Sequence, residues 1–371
     1  MKKIVHMIDS LAIGGAQTHL LTILKCANRK SYTHTVFSLT GELEIGREIE
    51  ELGIGVISLN LQEALKKRRW GAAICTITKM LKDERPDILE THMTWSRILG
   101  CAASLISWRK KIVSFEQGDI YNNNWKYRIA NFLASFFIDV MITNSNAMKN
   151  WIIKNYGITD KKIIVMYNSI LTDFFKPKGD YNNIRKALGL SEDEIIIGSV
   201  GTLGKGINKG MNYCIEAMTY LVQKYKNIRL IIVGDGELKG ELEKMASNLG
   251  LGKIVKFLGS RRDIDLILNA LDIVVFASPF EPCGIALIEA MSTGKPVVGS
   301  ASGGIKEIIQ DGITGLLFTL GDAKSFAEAI SRLIENEELR SLIGAKAREC
   351  VKEKFEARQY AQRLESLYAS L

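Results

Sequence analysis

Two carboxylates, Glu281 and Glu289, stand eight positions apart in the stretch Phe280 to Met291, with Gly284 between them. A buried-strand pattern, Ile273 to Ala277, comes before them, and an apolar helical run follows Gly284. Gly294-Lys295-Pro296 then leads into a second strand, Val297-Val298-Gly299. The succession reads as strand, tight loop, helix, strand. It puts Glu281 at the carboxyl end of a parallel strand and Gly284 near a helix N-terminus, where open α/β sheets hold anionic ligands. Glu289 falls about two helical turns further on. On one continuous helix the two carboxylates would be about 12 Å apart, too far for the pair of a retaining glycoside hydrolase. The segment therefore points to nucleotide-diphosphate recognition.

Four more loops repeat the theme of glycine at a strand end. Ile13-Gly14-Gly15-Ala16-Gln17 follows the first strand and offers backbone N–H groups to an anion or, read plainly, makes a tight turn. It lacks the full Gly-x-Gly-x-x-Gly spacing and the later acid of a dinucleotide site. Ser199 to Gly210 contains Gly201-Thr202 and two candidate cations, Lys205 and Lys209, able to reach a phosphate. No Gly-Lys-Ser/Thr follows at the spacing of a Walker loop. Gly234-Asp235-Gly236-Glu237 suits either a turn beside a base or ribose or ordinary helix capping. Leu258-Gly259-Ser260-Arg261-Arg262-Asp263 closes the set. All but the first fall on the carboxyl edge of one expected sheet.

The elements that must position these loops alternate regularly. Ile4–Ile8, Thr35–Leu39, Gly55–Leu59, Ile88–Glu90, Ile112–Phe115, Val140–Thr143 and Ile163–Tyr167 read as strands, with amphipathic helices such as Gln17–Cys26 and Trp70–Leu81 between them. The stretch Leu171 to Asp180 breaks the periodicity and reads as a linker. The alternation restarts at Ile195–Val200 and runs through Gly315–Phe318. Strict alternation predicts parallel, doubly wound sheets. The expected fold is α/β with two Rossmann-like domains, 1–175 and 176–354, and a cleft between them. The final segment, 355–371, is expected as a helix returning to the first domain.

Bulk properties narrow the function. With 47% hydrophobic and 24% charged residues, the chain of 371 is globular and long enough for two cores. No apolar run approaches the roughly 18 residues of a membrane span, and Ile4–Ile8 is short for a secretory leader. Six scattered cysteines fit a reducing cytoplasm, and none of the four histidines pair at zinc-ligand spacing. No metal site is expected. Residues 1–177 carry 24 Lys and Arg against 16 Asp and Glu, whereas 178–371 balance 25 against 25. The excess gathers near tryptophans: Lys66-Lys67-Arg68-Arg69-Trp70, Trp108-Arg109-Lys110-Lys111 and Trp125-Lys126-Tyr127-Arg128. Such clusters are commonly solvated surface. Three in one half suggest an anionic membrane face, and no nucleic-acid signature accompanies them.

Taken together, Gly14-Gly15-Ala16, Asn168 to Pro177, Lys209-Gly210, Gly234-x-Gly236, Leu258-Gly259, Glu281-x7-Glu289, Gly303-Gly304 with Glu307, and Gly312-x-x-Gly315 resemble the retaining glycosyltransferases of family four, of GT-B architecture. The similarity covers nearly the whole chain and is weakest from about Thr40 to Asn131. The resemblance implies a nucleotide-sugar donor, with UDP the favoured carrier, and no cofactor. It implies that Glu289 accepts from the ribose hydroxyls and Glu281 from the donor sugar. It further implies that backbone N–H groups near Cys283, Gly284 and Ile285 meet sugar and phosphate oxygens. Lys209 would neutralise the diphosphate, Gly15 and Ala16 would approach it from the other domain, and the loops at Gly234, Asp235 and Arg261 would flank the base. Gln117 and His92 belong on the acceptor side. A saccharide or lipid-linked acceptor, in cell-surface polysaccharide or glycolipid synthesis at the inner face of the cell membrane, completes the expectation.

Three positions depart from the family pattern. Thr202 stands where an Arg is usual, which leaves Lys205 as the alternative second cation. Gln117 replaces a histidine, and Cys283 replaces a frequent aromatic. A non-catalytic partner subunit or a nucleotide-sugar epimerase on the same fold are the competing classes.

Overall fold

In the computed structural model, residues 1–107, 111–118, 125–179, 181–205 and 209–371 are described. They divide into two compact units: Met1–Ser169 with Ala357–Leu371, and Ile170–Glu356.

The first unit is a seven-stranded sheet. In chain order its strands are β1 (Lys2–Ile8), β2 (Tyr32–Ser38), β3 (Gly55–Ser58), β4 (Ile88–His92), β5 (Lys111–Glu116), β6 (Val140–Thr143) and β7 (Ile163–Val165). They lie in the order β3-β2-β1-β4-β5-β6-β7, and every pairing is parallel. β1 and β4 are buried along most of their length because helices cover both faces. Ile4, Ile23, Val113, Phe115 and Ile142 form one core cluster with Tyr360, Leu364 and Tyr368 of the last helix, Ala357–Ser370. Each large apolar side chain so enclosed contributes about 1.5–3 kcal/mol. That helix begins two residues after Phe355, the expected start. A separate helix, Glu337–Lys354, ends in the second unit, and the chain turns at Phe355 and Glu356 before Ala357 re-enters the first.

The second unit has six parallel strands: β8 (Ile195–Val200), β9 (Ile228–Val233), β10 (Val255–Gly259), β11 (Ile273–Phe276), β12 (Val297–Ser300) and β13 (Leu316–Phe318). Their order is β10-β9-β8-β11-β12-β13. Both sheets therefore grow outward from their first strand in two directions. The order reverses between β1 and β4 in one sheet and between β8 and β11 in the other. Loops leaving the carboxyl ends of those strand pairs diverge, and the crevice they leave is where such sheets bind ligands. The aperiodic residues 171–179 lie in the second unit, where Ser292 Oγ donates to Phe175 O and Lys178 N to Asn269 Oδ1 at 2.7 Å. Asp180 lies outside the described residues.

Candidate functional site

The second unit's reversal point carries the charged pair. Lys209 follows β8 and Glu281 follows β11, so the two strands that flank the crevice each supply one member. Lys209 Nζ is 2.6 Å from Glu281 Oε2, with the side chains 22% and 13% exposed. Largely desolvated charges at this distance interact far more strongly than surface pairs. The local chain explains the approach. Gly210 has φ +72° and caps the helix Met211–Lys224, and a Cβ there would sit 1.9 Å from Ala277 O. Only glycine lets the β8 loop lie against the end of β11. On the other side Gly304 N donates to Glu281 O at 2.6 Å, and Ser300 and Ser302 both donate to Ser278 O. Ser278 Oγ reaches Glu281 Oε2 at 3.4 Å. Beyond Glu281, the helix Ile285–Ser292 starts at Gly284 with no side-chain cap. Its first N–H groups point out of the carboxyl edge, where an anion is favoured.

Glu289 sits on that helix and differs from Glu281. Burial, and secondarily the charge of Asp265, push its carboxyl up to about 7. Asp265 is itself ion-paired with Lys178. No hydrogen bond or ion pair to the Glu289 carboxylate occurs among the described residues. A half-buried carboxyl group with free lone pairs is suited to accept from hydroxyl groups of a ligand.

The remaining expected donor residues divide. Thr202 is exposed. Lys205 forms an exposed pair with Glu241 at 3.2 Å and donates its backbone N–H to Glu237; Gly206, Ile207 and Asn208 lie outside the described residues. Gly234 is required by packing: a Cβ would meet Gly201 O at 1.9 Å, so this glycine lets two neighbouring loops touch. Asp235 turns its carboxylate onto Gly236 N at 2.8 Å and Lys239 at 3.8 Å. Arg261 is held by Asp263 through two bonds of 2.9 and 2.6 Å. It borders a groove of about 410 Å³ lined by Ile184, Leu188, Asp263 and Leu266. Since β10 lies two strands from β8, Arg261 is about 10 Å to the side of the pair. The Cys283 side chain is buried, leaving its backbone as the group that could face a ligand.

In the first unit, Gly15 opens the helix Gly15–Cys26, is exposed, and has no side-chain cap before it; Ala16 is the next residue. Gln117, at the end of β5, contacts His19 Nδ1 at 3.0 Å. Burial, then the charge of His92, lower His19 to about 3, so the ring is neutral. Ser169 N donates to its Nε2 at 3.2 Å, which leaves the proton on Nδ1. Gln117 must then present its amide oxygen to His19.

The expectation that His92 serves an acceptor needs correction. Its ring is 1% exposed, stacks on Phe115 at 4.6 Å and lies 3.5 Å from Glu90 Oε2. It belongs to a buried group that also includes His6, His34 and Tyr368. His6 Nδ1 is 2.6 Å from Glu90 Oε2, His6 Nε2 is 2.9 Å from His34, and Tyr368 Oη donates to Glu90 Oε1. Although burial alone would raise Glu90, His6 and His92 hold its carboxyl well below the usual range. Burial lowers His92 and takes His34 down to about 3. Histidine spacing along the chain concealed this group, because β1–β4 register sets His6 beside Glu90 and the strand period places His92 on the same face. Ligand atoms of His6, Glu90 and His92 lie within 4.8 Å of one another. Within this group, His6 and Glu90 are in direct ion-pair contact. The available signal was a glutamate inside a strand buried on both faces.

Asp9, at the end of β1, was also missed. Its carboxylate accepts from Trp95 N at 3.1 Å and Ser96 N at 2.6 Å, filling the N-terminus of the helix Thr94–Ser107. Of the three basic clusters, Lys66 to Trp70 is mostly exposed, with Lys67 and Glu63 at 3.1 Å. Trp108, Arg109 and Lys110 of the second lie outside the described residues.

Two Rossmann-like sheets, with a cationic–anionic pair and an open helix N-terminus at one reversal point, define the GT-B class of glycosyltransferase. Residues 13–174 match the family described as Glycosyltransferase Family 4, and residues 180–350 that described as Glycosyl transferases group 1. The chain belongs to this family, and it is a glycosyltransferase. It is 26% identical to Anabaena Alr3699/HepE, solved in complex with UDP and glucose, with a TM-score of 0.88 over 100% of both chains. It is 29% identical over 279 residues to the UDP-Gal:alpha-D-GlcNAc-diphosphoundecaprenol alpha-1,3-galactosyltransferase of Escherichia coli, covering 72% of this chain and 71% of that one. Over 209 residues it is 32% identical to the N-acetyl-alpha-D-glucosaminyl L-malate synthase of Bacillus anthracis, covering 56% and 54%. The chain thus spans between about half and seven-tenths of these curated relatives.

Proposed function

We propose that the protein transfers a hexosyl or N-acetylhexosaminyl group from a UDP-sugar to a hydroxyl of a saccharide or lipid-linked acceptor, with retention of configuration and without a metal. The observation that carries this reading is the Lys209–Glu281 pair across the β8/β11 crevice, followed by a helix on which Glu289 has no hydrogen-bond or ion-pair partner among the described residues. Glu289 accepts from the ribose hydroxyls, and Glu281 accepts from the donor sugar. Lys209 and the N–H groups from Cys283 to Ile285 stabilise charge that grows on the departing diphosphate. The bond from the anomeric carbon to the diphosphate oxygen breaks, and the acceptor oxygen bonds to that carbon on the same face. The acceptor's proton passes to the leaving diphosphate. Glu281 prepositions Lys209, and the incoming diphosphate shares the cation with it.

Support for the donor comes from the UDP and UDP-glucose complexes of the Anabaena protein. Support for a lipid-linked acceptor comes from the Escherichia coli relative's name. On this reading the product enters cell-surface polysaccharide or glycolipid synthesis at the inner membrane face, where the basic first unit meets anionic lipid. The test is a panel of nucleotide-sugars with released nucleotide as readout, run with and without chelator and with product anomers assigned by NMR. Release from a UDP-sugar, insensitive to chelator, is expected. No release with any donor and no affinity for UDP by calorimetry would overturn the proposal in favour of a non-catalytic partner. Net conversion of the donor without an acceptor would identify an epimerase instead.

A further inference from the structure

The helix Trp125–Ser135 is built the wrong way round for a soluble protein. It buries Asn131, Ala134 and Ser135. It exposes Trp125, Ile129, Phe132 and Leu133, and Phe136 follows directly, at spacings of four, seven, eight and eleven. Those spacings form one helical stripe. The buried polar atoms are satisfied locally, with Asn131 Nδ2 donating to Tyr127 O at 2.8 Å and Ser135 Oγ to Phe132 O at 2.6 Å. Trp125 is 65% exposed and Phe136 60%. The last turn of the packed neighbour, Thr94–Ser107, adds exposed Leu105 and Ile106. Of the sixteen exposed large apolar side chains among the described residues, seven lie between 105 and 136, so this is a patch and not scatter.

We infer that this ridge inserts into the interfacial layer of an anionic lipid bilayer. Charge selects the occupant. Residues 105–165 hold nine Lys and Arg against four Asp and Glu. Three of those acids are already engaged: Glu116 by Arg97, Asp139 by Lys111 and Asp160 by Lys149. A second copy of the chain docked on the same face would bring like charges together, whereas anionic headgroups neutralise them. Exposed Lys126 beside Trp125 supplies the mixture of aromatic and cation that interfacial helices use. The ridge also starts at the right place. Its helix follows the carboxyl end of β5, where Gln117 lies, and Tyr127 in its first turn packs edge-on to Trp95 at 5.2 Å. Trp95 in turn stacks on Trp70 at 4.7 Å. Insertion therefore holds the carboxyl edge of the first sheet against the membrane surface. The inference deepens the proposal of a lipid-linked acceptor and rests on it for its purpose, while the docking itself is measured without turnover.

Insertion and electrostatic docking predict different responses to salt. Full-length protein should sediment with phosphatidylcholine vesicles containing phosphatidylglycerol, and should stay bound at about 1 M salt, where the Debye length falls to about 3 Å. The variant F132S/L133S/F136S should partition at least about 100-fold more weakly. Its thermal midpoint and its release of nucleotide with a water-soluble acceptor should be unchanged, because all three side chains are exposed. Replacing Lys66 to Arg69 by glutamine should leave the salt-resistant binding intact. Absence of wild-type binding, complete release by salt, or equal binding by the serine variant would overturn the inference. So would a wild-type dimer in sedimentation equilibrium that the serine variant abolishes, with no vesicle binding. Protein that binds vesicles but releases no nucleotide would refute the proposed activity and leave the docking standing.

Discussion

The two reversal points are built to the same topology and finished differently. In the first unit, Asp9 leaves β1 and caps the helix that follows β4, so the chain's own carboxylate occupies the positive helix end. In the second unit the equivalent helix starts at Gly284 with no side-chain cap, and the flanking loops place Lys209 and Glu281 across the crevice. One crevice is thus internally neutralised for anions, and the other keeps its helix end for a ligand. In the first unit the helix after β1, beginning at Gly15, is the uncapped one. A Rossmann-like sheet supplies a place for an anion. Single residues at the helix N-cap decide whether that place is used.

Removing the cation should break the contrast most severely. Lys209→Ala is expected to lower kcat about 10²–10³-fold with UDP-sugar, measured by nucleotide release, while leaving the fold intact by circular dichroism. Full activity in this variant would sink the site assignment. Glu289→Gln should separate binding from stability. Its carboxyl sits near 7 when folded and in the ordinary carboxylate range near 4.5 when unfolded. The folded state therefore holds the extra proton, and this group's contribution to stability falls as pH rises from about 4.5 through 7. At pH 8 the glutamine variant should be more stable by roughly 2–3 kcal/mol in urea unfolding, and at pH 4 nearly unchanged. UDP affinity by calorimetry should drop about tenfold in the same protein. An equal stability gain at both pH values would show that the raised pKa is not the cause.

On the first unit, Tyr368→Phe removes the hydroxyl that satisfies buried Glu90 and should cost about 1.5–3 kcal/mol in thermal or urea unfolding. Asp9→Ala uncovers the helix end and should cost about 1–2 kcal/mol, with no change in UDP affinity. A new phosphate or UDP site in that variant would show that the cap alone distinguishes the two crevices. Arg261→Ala should have the smallest effect, less than about threefold on UDP affinity, since Arg261 is committed to Asp263 and lies two strands away.

Much of the fold was legible because hydrophobic runs in doubly wound sheets are unambiguous. Val140–Thr143 and Ile195–Val200 form strands with the bounds their sequences suggest. The strand at Ile88 reads as ending at Glu90, yet it continues to His92, because parallel pairing with Ile8 of β1 and Phe115 of β5 extends to that residue. The segment 355–371, read as a helix returning to the first domain, forms the helix Ala357–Ser370 within the first unit.

The glycine-rich loops show where local reading stops. Gly234 packs against Gly201, and Lys205 forms an exposed pair with Glu241, contacts that no spacing along the chain announces. Sequence by itself determined the two parallel sheets, the carboxyl-edge loops and the Glu281-x7-Glu289 segment, because strand and helix periodicity and glycine turns are local properties. Tertiary structure alone decided that Lys209 meets Glu281, that Glu289 has no hydrogen-bond or ion-pair partner among the described residues, that Asp9 fills the helix end at the other reversal point and that His92 is enclosed. Each of these depends on which strands become neighbours, and neighbouring strands here are as far apart in sequence as β8 and β11.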